Sequence, residues 1–389
     1  MAKLGEVCDI LNGYAFKSNQ YTTSGVRIIR ISNVQKGYIE DKSPVYYPCD
    51  DENVKKYELK QNDLLISLTG NVGRTALLEE KFLPAALNQR VSCVRLKEPD
   101  KVLKTYLFHL LNSDYFEQQC MKAAEGVAQK NLSPKWLFEY KIPIYSIERQ
   151  KEISNTLDKI DLLIILRKQQ LAKLDELVKA QFVEMFGDVL LNSMQWPEKT
   201  LENMANIVSG ITKGRKTAEA DLQEVPYMAV SNVKDGYIDW TTVKTILATR
   251  QEIEQYRLMP DDILMTEGGD PDKVGRGAII KVPLKNSIHQ NHIFRVRLDE
   301  QEILPSFFAE YLRHQKAKRY FLGCAKQTTG IASINMRQLR ALPTLVPPLS
   351  LQKQFAAFVE RVDQQKQTVQ QSLEKLELMK NALMQEYFG

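Results

Sequence analysis

Apolar residues fall along this chain in two rhythms. Short runs such as Val26-Arg27-Ile28-Ile29-Arg30-Ile31, Asp63-Leu64-Leu65-Ile66-Ser67-Leu68 and Val91-Ser92-Cys93-Val94-Arg95-Leu96 are rich in Val, Ile and Leu and bounded by Gly, Pro or Asn. That is the signature of strands. Counterparts run from Val225 to Val230, Asp262 to Thr266 and Ile293 to Leu298. Helical spacing predicts one helix from Val102 to Ala124, with Leu103, Leu107, Leu110 and Leu111 on one side, and another from Pro305 to Leu322 with proline at an early position. Strands precede helices rather than alternate with them, which predicts an α+β fold.

The second rhythm is a heptad. From Arg149 to Phe186 there is neither Gly nor Pro, and apolar side chains recur at Ile153, Leu157, Ile160, Ile164, Leu171, Leu174, Val178 and Met185, with Arg167 and Gln181 in the gaps. The register returns 202 positions later at Phe355, Val359, Val362, Lys366, Leu373, Leu376, Lys380 and Tyr387, with Val369 at the position of Arg167. The second seam is weaker, since two of its positions are lysine. Heptads sustained this far predict two coiled-coil helices, each about 55 Å long at ~1.5 Å per residue. Leu162, Leu163, Ile165, Phe182, Leu378 and Met379 lie off the seams. They read either as packing against a neighbouring domain or as a surface for partners.

Both rhythms occur twice because the chain is a long repeat. Ser32-Asn33-Val34-Gln35-Lys36-Gly37-Tyr38-Ile39-Glu40 returns 199 positions later as Ser231-Asn232-Val233-Lys234-Asp235-Gly236-Tyr237-Ile238-Asp239. Gln61-Asn62-Asp63-Leu64-Leu65 returns as Pro260-Asp261-Asp262-Ile263-Leu264, Val72-Gly73-Arg74 as Val274-Gly275-Arg276, and Phe186-Gly187 as Phe388-Gly389. A repeat of half the chain is far longer than a solenoid unit of roughly 20–50 residues. It predicts two similar mixed globules, residues 1–148 and 188–350, each followed by a spacer helix, residues 149–187 and 351–389. If the second helix runs back along the first, the pair is antiparallel, the arrangement is pseudo-twofold, and the two globules face a common ligand in opposite orientations.

Composition narrows the class only a little. The 389 residues are 43% hydrophobic and 26% charged, with net charge +5, ordinary globular values that are weakly compatible with nucleic acid. No apolar run approaches the ~20 residues of a membrane span, and the first residues lack the apolar stretch of a signal peptide, so a cytoplasmic protein is expected. Five scattered cysteines without a CxxC pair argue against a zinc site or a disulfide framework. The stretch from Gly210 to Thr217 lacks phosphate-loop spacing, Glu267 to Arg276 lacks GxGxxG, and no GxSxG elbow is present. His289 and His292 form the one His pair, without a ligand set around it in sequence. No catalytic constellation emerges, and no metal or cofactor is expected on this chain.

The repeated motifs carry a resemblance. A mixed domain followed by a long helix, twice, resembles the specificity (S) subunit of type I restriction–modification systems. So do the string from Leu64 to Ala76, Leu87-Asn88-Gln89-Arg90, Lys130-Asn131-Leu132, and the polar start Ile147-Glu148-Arg149-Gln150 of a helix. The second half departs with His289-Gln290 for Asn88-Gln89, Ser333-Ile334-Asn335-Met336 for Gln129-Lys130-Asn131-Leu132, and three extra residues, 270–272. The resemblance implies a non-catalytic subunit that binds double-stranded DNA. Each globule would be a target recognition domain reading half of a split, asymmetric sequence. The helices would dock two modification (methyltransferase) subunits carrying S-adenosylmethionine, and a restriction subunit using ATP and Mg can join them. A methyltransferase fused to its own specificity domain should show an NPPY-like tetrapeptide, which is lacking. A coiled-coil scaffold without a nucleic-acid role stays open at this point.

Candidate DNA contacts are polar or basic residues on loops of the shared frame. Arg30, Asn33, Lys36 and Tyr38, with Asn232, Lys234 and Tyr237, follow a strand; turn formation explains the Asn and Gly of this motif equally well. Asn71 and Arg74, with Lys273 and Arg276, lie in a glycine loop, where backbone can approach a phosphate and arginine can bind phosphate or guanine. Gln129, Lys130 and Asn131, with Gln327 and Thr328, occupy a polar stretch after the globule's helix.

Overall fold

The computed structural model describes residues 1–124, 130–214, 222–270, 273–328 and 331–389. They form two compact units, Met1–Lys168 with Gln370–Gly389, and Gln169–Val369. The two long helices run Ile147–Phe186 and Leu349–Phe388. Each is therefore divided near its middle: a unit holds the start of one long helix and the end of the other.

The first unit is built on a four-stranded antiparallel sheet, in the order Cys8–Asn12, Val91–Leu96, Leu64–Ser67, Thr75–Leu77. The central strand Leu64–Ser67 is buried throughout, which is why it reads as a continuous apolar run. A second sheet orders Tyr46–Tyr47, Val26–Ile29 and Ala85–Leu87, the last pair parallel. The repeated Gln61-Asn62-Asp63 motif is the turn into the central strand. Asn62 takes a left-handed φ of 63°. The Asp63 carboxylate accepts the Lys60 backbone N–H at 2.8 Å and both Nε and Nη2 of Arg95 at 2.8 and 2.6 Å.

The second unit repeats this order with Ala205–Ser209, Ile293–Leu298, Ile263–Thr266 and Gly277–Ile279, and with Lys244–Ala248, Gln223–Met228 and Ile288–His289. Its turn is equivalent: Asp261 has φ 66°, and Asp262 accepts the Met259 N–H at 2.7 Å and a bidentate Arg297 at 2.7 and 2.8 Å. Mixed α+β units with a long-helix element are what the hydrophobic rhythms predict.

The helix expected from Val102 to Ala124 is two, Lys104–Leu111 and Asp114–Ala123. Ser113 ends the first and N-caps the second, its Oγ accepting the Phe116 N–H at 3.1 Å. The helix expected from Pro305 to Leu322 likewise splits into Pro305–Arg313 and Gln315–Cys324, because His314 adopts extended backbone between them. Apolar spacing carries across such a break, so periodicity alone does not reveal it.

Each long helix is fastened at both ends within one unit or the other. Gln150, fully buried, accepts the Leu103 N–H and donates to the carbonyls of Lys101 and Tyr145. Gln352 does the same with Leu304, Glu302 and Pro347. At the other ends, Phe388 enters the first unit's core beside Tyr106, ring centroids 5.6 Å apart, and Phe186 enters the second unit's core beside Phe307 at 4.7 Å. The repeated Phe-Gly ending is thus a plug into an aromatic core.

Within the first unit the seam residues Ile153, Leu157, Ile160, Ile164 and Leu373 are buried; within the second, Leu174, Val178, Phe355, Val362 and Val369 are buried, and Leu171 and Val359 partly so. Leu376 is half-buried. The lysines of the weaker seam have partners. Lys380 pairs with Asp161 in the first unit, and Lys366 with Asp175 in the second at 2.6 Å. Phe182, off the seam, is buried among Phe307, Phe355 and His314, whereas Leu162, Leu163 and Ile165 are exposed.

Candidate nucleic-acid interface

Three loops separated in sequence meet on the first unit. In the loop 30–40, Asn33 is buried; its Oδ1 accepts the Arg30 N–H at 2.8 Å and its Nδ2 donates to Glu40 O at 3.0 Å. The loop turns at Gly37, φ 90°, whose N–H donates to Thr75 O at 2.8 Å. That bond ties it to the glycine loop 68–75, and Arg74 Nη1 adds a bond to Gln35 Oε1 at 2.6 Å. The glycine loop lies against the helix Asp114–Ala123. A Cβ on Gly73, φ 86°, would stand 2.8 Å from Cys120 Cβ, so only glycine fits. The third segment joins by backbone: Gly70 N–H donates to Lys130 O at 3.2 Å and Leu132 N–H to Leu68 O at 2.7 Å.

The second unit makes the same junction. Asn232 is buried, accepting the Ala229 N–H at 2.9 Å and donating to Asp239 O at 2.8 Å. Gly236, φ 87°, donates its N–H to Gly277 O at 3.0 Å. Gly275, φ 69°, sits where a Cβ would strike the Phe321 ring at 2.2 Å. Ile334 N–H donates to Glu267 O at 2.8 Å, and Gly268–Gly269 pairs with Ile331–Ser333, which pairs with Lys326–Thr328.

The candidate contacts fall into distinct places on these junctions. Tyr38 and Tyr237 project outward, 54% and 61% exposed, at the tips of equivalent loops. Asn71, Lys130, Asn131 and Lys273 are exposed, and Arg74 and Arg276 half-buried. Arg30 Nη2 donates to Ser43 O at 2.7 Å. Asn33 and Asn232 are buried, and their amide nitrogens donate within the turn, to Glu40 O and Asp41 Oδ1 in the first unit and to Asp239 O and Thr242 O in the second. Lys36 is bound by Asp114 and by Glu117 at 2.7 Å, and Lys234 faces Asp239 at 3.7 Å. Gln129 lies outside the described residues; the backbone of Gln327 and Thr328 is in a strand.

Sequence reasoning missed Gln35, which receives Arg74, and the acids and lysine on the helices behind the loops. Aligning the halves of the repeat position by position is the signal that finds them. The His pair is separated by the fold. His289 is buried with ring nitrogens 3.3 Å from the carbonyls of Tyr256 and Val208, and His292 pairs with Glu267 at 2.6 Å. Among the described residues no three His, Cys, Asp or Glu side chains cluster as metal ligands, and no helix is long and apolar enough to cross a membrane.

A duplicated α+β unit that presents the same three-loop face twice, and carries long helical spacers, defines a class of two-module binding proteins. The chain belongs to the type I restriction modification DNA specificity domain family, whose model matches residues 1–176 and again 194–378. It is 21% identical over 386 residues to the Type I restriction enzyme EcoKI specificity subunit of Escherichia coli (strain K12), covering 94% of this chain and 81% of the relative. It is 32% identical over 186 residues to the MjaVIII specificity subunit of Methanocaldococcus jannaschii, covering 46% of this chain and 43% of that one. The type I restriction–modification S subunit of M. genitalium has a similar fold, with TM-score 0.58 and 16% identity over 100% of this chain and 95% of that one.

Proposed function

We propose that this chain is the sequence-reading subunit of a type I restriction–modification assembly. Each unit reads one half of a bipartite, asymmetric double-stranded DNA target, and the long helices hold two modification subunits. The chain itself is non-catalytic; S-adenosylmethionine is bound by the modification subunits, and ATP and Mg by a restriction subunit where one joins. The assembly acts in the cytoplasm. The observation that carries this reading is the twofold convergence of the three repeated motifs on one face, with an exposed tyrosine at the same place in each. The frames are alike, so the two faces belong to one kind of ligand. The exposed side chains differ, with Asn71, Lys130 and Asn131 on one and Lys273 on the other, so the two half-sites differ in sequence. Direct readout by such loops discriminates bases through hydrogen bonds to their edges, while basic groups hold phosphate.

Methylation mapping of the chain co-expressed with its modification subunit tests this. One asymmetric split motif is expected, and replacing the loops of the first unit should change one half of it alone. Absence of any motif, or a change in both halves, would overturn the reading. The chain by itself should transfer no methyl group to DNA, and its DNA binding should weaken steeply with salt.

A further inference from the structure

The reading loops are held from behind by an ion pair whose polarity is reversed between the two units. In the first unit Lys36 Nζ, on the loop, reaches Glu117 Oε2 at 2.7 Å and also Asp114, both on the helix Asp114–Ala123. In the second, Asp235 on the loop meets Lys318 Nζ, on the helix Gln315–Cys324, at 3.3 Å. These are the same positions. Lys36 and Asp235 each precede the loop glycine and exposed tyrosine of the repeated nonapeptide. Glu117 and Lys318 each stand three residues before the side chain, Cys120 or Phe321, on which the glycine loop rests. At the position of Asp114 the second unit has Gln315, so the second carboxylate disappears where the loop no longer carries a lysine.

Two independent surface positions have no physical reason to change sign together. A pair in contact does, because reversing one member alone places like charges together. We propose that Lys36 with Asp114 and Glu117, and Asp235 with Lys318, are latches: positioning residues that set the orientation of Tyr38 and Tyr237 and hence the discrimination of one half-site each. This rests on the DNA-reading function proposed above. The pairs are exposed enough that they contribute little to overall stability. Their leverage is local. The tip of the first loop is tied to the glycine loop by the Gly37–Thr75 and Arg74–Gln35 hydrogen bonds, and the latch adds a point on the neighbouring helix, one glycine away from the tyrosine. Lys36, expected from sequence to touch DNA, is thereby assigned to holding the residue that does.

The test uses the full chain assembled with its modification subunits, and three duplexes: one with the mapped target, one with the first half-site scrambled and one with the second scrambled. Asp235→Lys and Lys318→Glu should each reduce discrimination of the second unit's half-site by about three- to tenfold, leaving the other half-site untouched. The double variant Asp235→Lys/Lys318→Glu should restore it. In the first unit, Lys36→Asp should act likewise on its own half-site, and Lys36→Asp/Asp114→Gln/Glu117→Lys, which writes in the second unit's arrangement, should recover it. Hydrogen exchange at the Gly37 and Gly236 amides gives a readout independent of DNA: faster in single variants, restored in the compensated ones. Unchanged discrimination in the single variants, or no rescue, overturns the proposal. Failure of the unaltered assembly to distinguish the three duplexes would instead overturn the DNA-reading function, and the exchange rates would still decide whether the latches hold the loops.

Discussion

At the level of single residues, the sequence shows which positions repeat but not which way they face. Asn33 and Tyr38 belong to the same repeated nonapeptide, yet one is spent inside the turn and the other stands in solvent. A motif held by backbone geometry looks in sequence like a motif held by a ligand. His289 illustrates the converse, a departure between the halves whose effect is internal. The fold places it where the first half has Leu87, not Asn88, since Ile211 N–H donates to His289 O as Tyr14 N–H does to Leu87 O, and burial pushes its imidazole down to about 4, with the nearby Arg295 acting the same way against the pull of the Val208 and Tyr256 carbonyls. The folded protein therefore binds this proton less readily than the unfolded chain, whose histidine titrates near ~6.5. The stability contributed by the neutral ring is present above pH ~6.5 and lost as the pH falls towards about 4, amounting to about 2 kcal/mol between pH 7 and 5. Leucine stands at the equivalent place in the first unit, and asparagine, like leucine, does not titrate. His289→Asn should therefore flatten the decline of stability between pH 7 and 5, as measured by urea unfolding at the two values. An identical decline in the variant would mean that the acid sensitivity arises elsewhere.

Elements were legible where one rule dominates. The buried strands Leu64–Ser67 and Ile263–Thr266 and the heptad helices follow from apolar patterning, because burial on both faces of a strand or along one stripe of a helix leaves a direct trace. Breaks at Ser113 and His314 left no such trace, and neither did the glutamine clamps. Gln150 reads as part of a polar helix start, yet it and Gln352 are fully buried, and each satisfies one backbone N–H and two backbone carbonyls. They join a long helix to the start of the helix Lys104–Leu111 in the first unit and Pro305–Arg313 in the second. Replacing Gln352 with Leu would leave the Leu304 N–H and two carbonyls buried without partners, a loss of about 2–4 kcal/mol; Gln150→Leu should cost as much in the first unit. Chemical denaturation of the purified variants measures this, and a loss under about 0.5 kcal/mol would show that water takes over the clamp. The seam lysines teach a related lesson. Lys366 and Lys380 weaken an apolar seam, but each meets an aspartate of the other long helix, Asp175 or Asp161. Polar pairs in such a seam fix register, at some cost in stability.

For the whole molecule, what the repeat does not repeat is the informative part. Leu162, Leu163, Ile165 and Leu166 on the first long helix are exposed, as is Leu378 in the same unit. The positions 202 residues later are Gln364, Gln365, Gln367 and Thr368, in the second unit. At these positions one unit thus presents apolar side chains where the other presents three amides and a threonine. Contiguous exposed apolar residues on a helix mark a surface that is covered in the working assembly, and in this family's proposed architecture the cover is a modification subunit on each side. The two docking sites would then be unequal, because burying a leucine side chain is worth about 1.5–3 kcal/mol and burying glutamine is not. Titration of the chain with its modification subunit, followed by native mass spectrometry, should show a 1:1 complex forming well before the 2:1 complex. The triple variant Leu162→Gln/Leu163→Gln/Ile165→Gln writes the second helix's residues into the first. It leaves the buried seam side chains Ile160 and Ile164 in place, so the helix itself should persist. In this variant the first binding step should weaken by at least about tenfold, and the 1:1 complex should cease to accumulate ahead of the 2:1. Unequal steps that survive the triple substitution would place the asymmetry in the globules instead of the helices. Equal steps in the unaltered chain would show that the exposed leucines are not part of the docking surface.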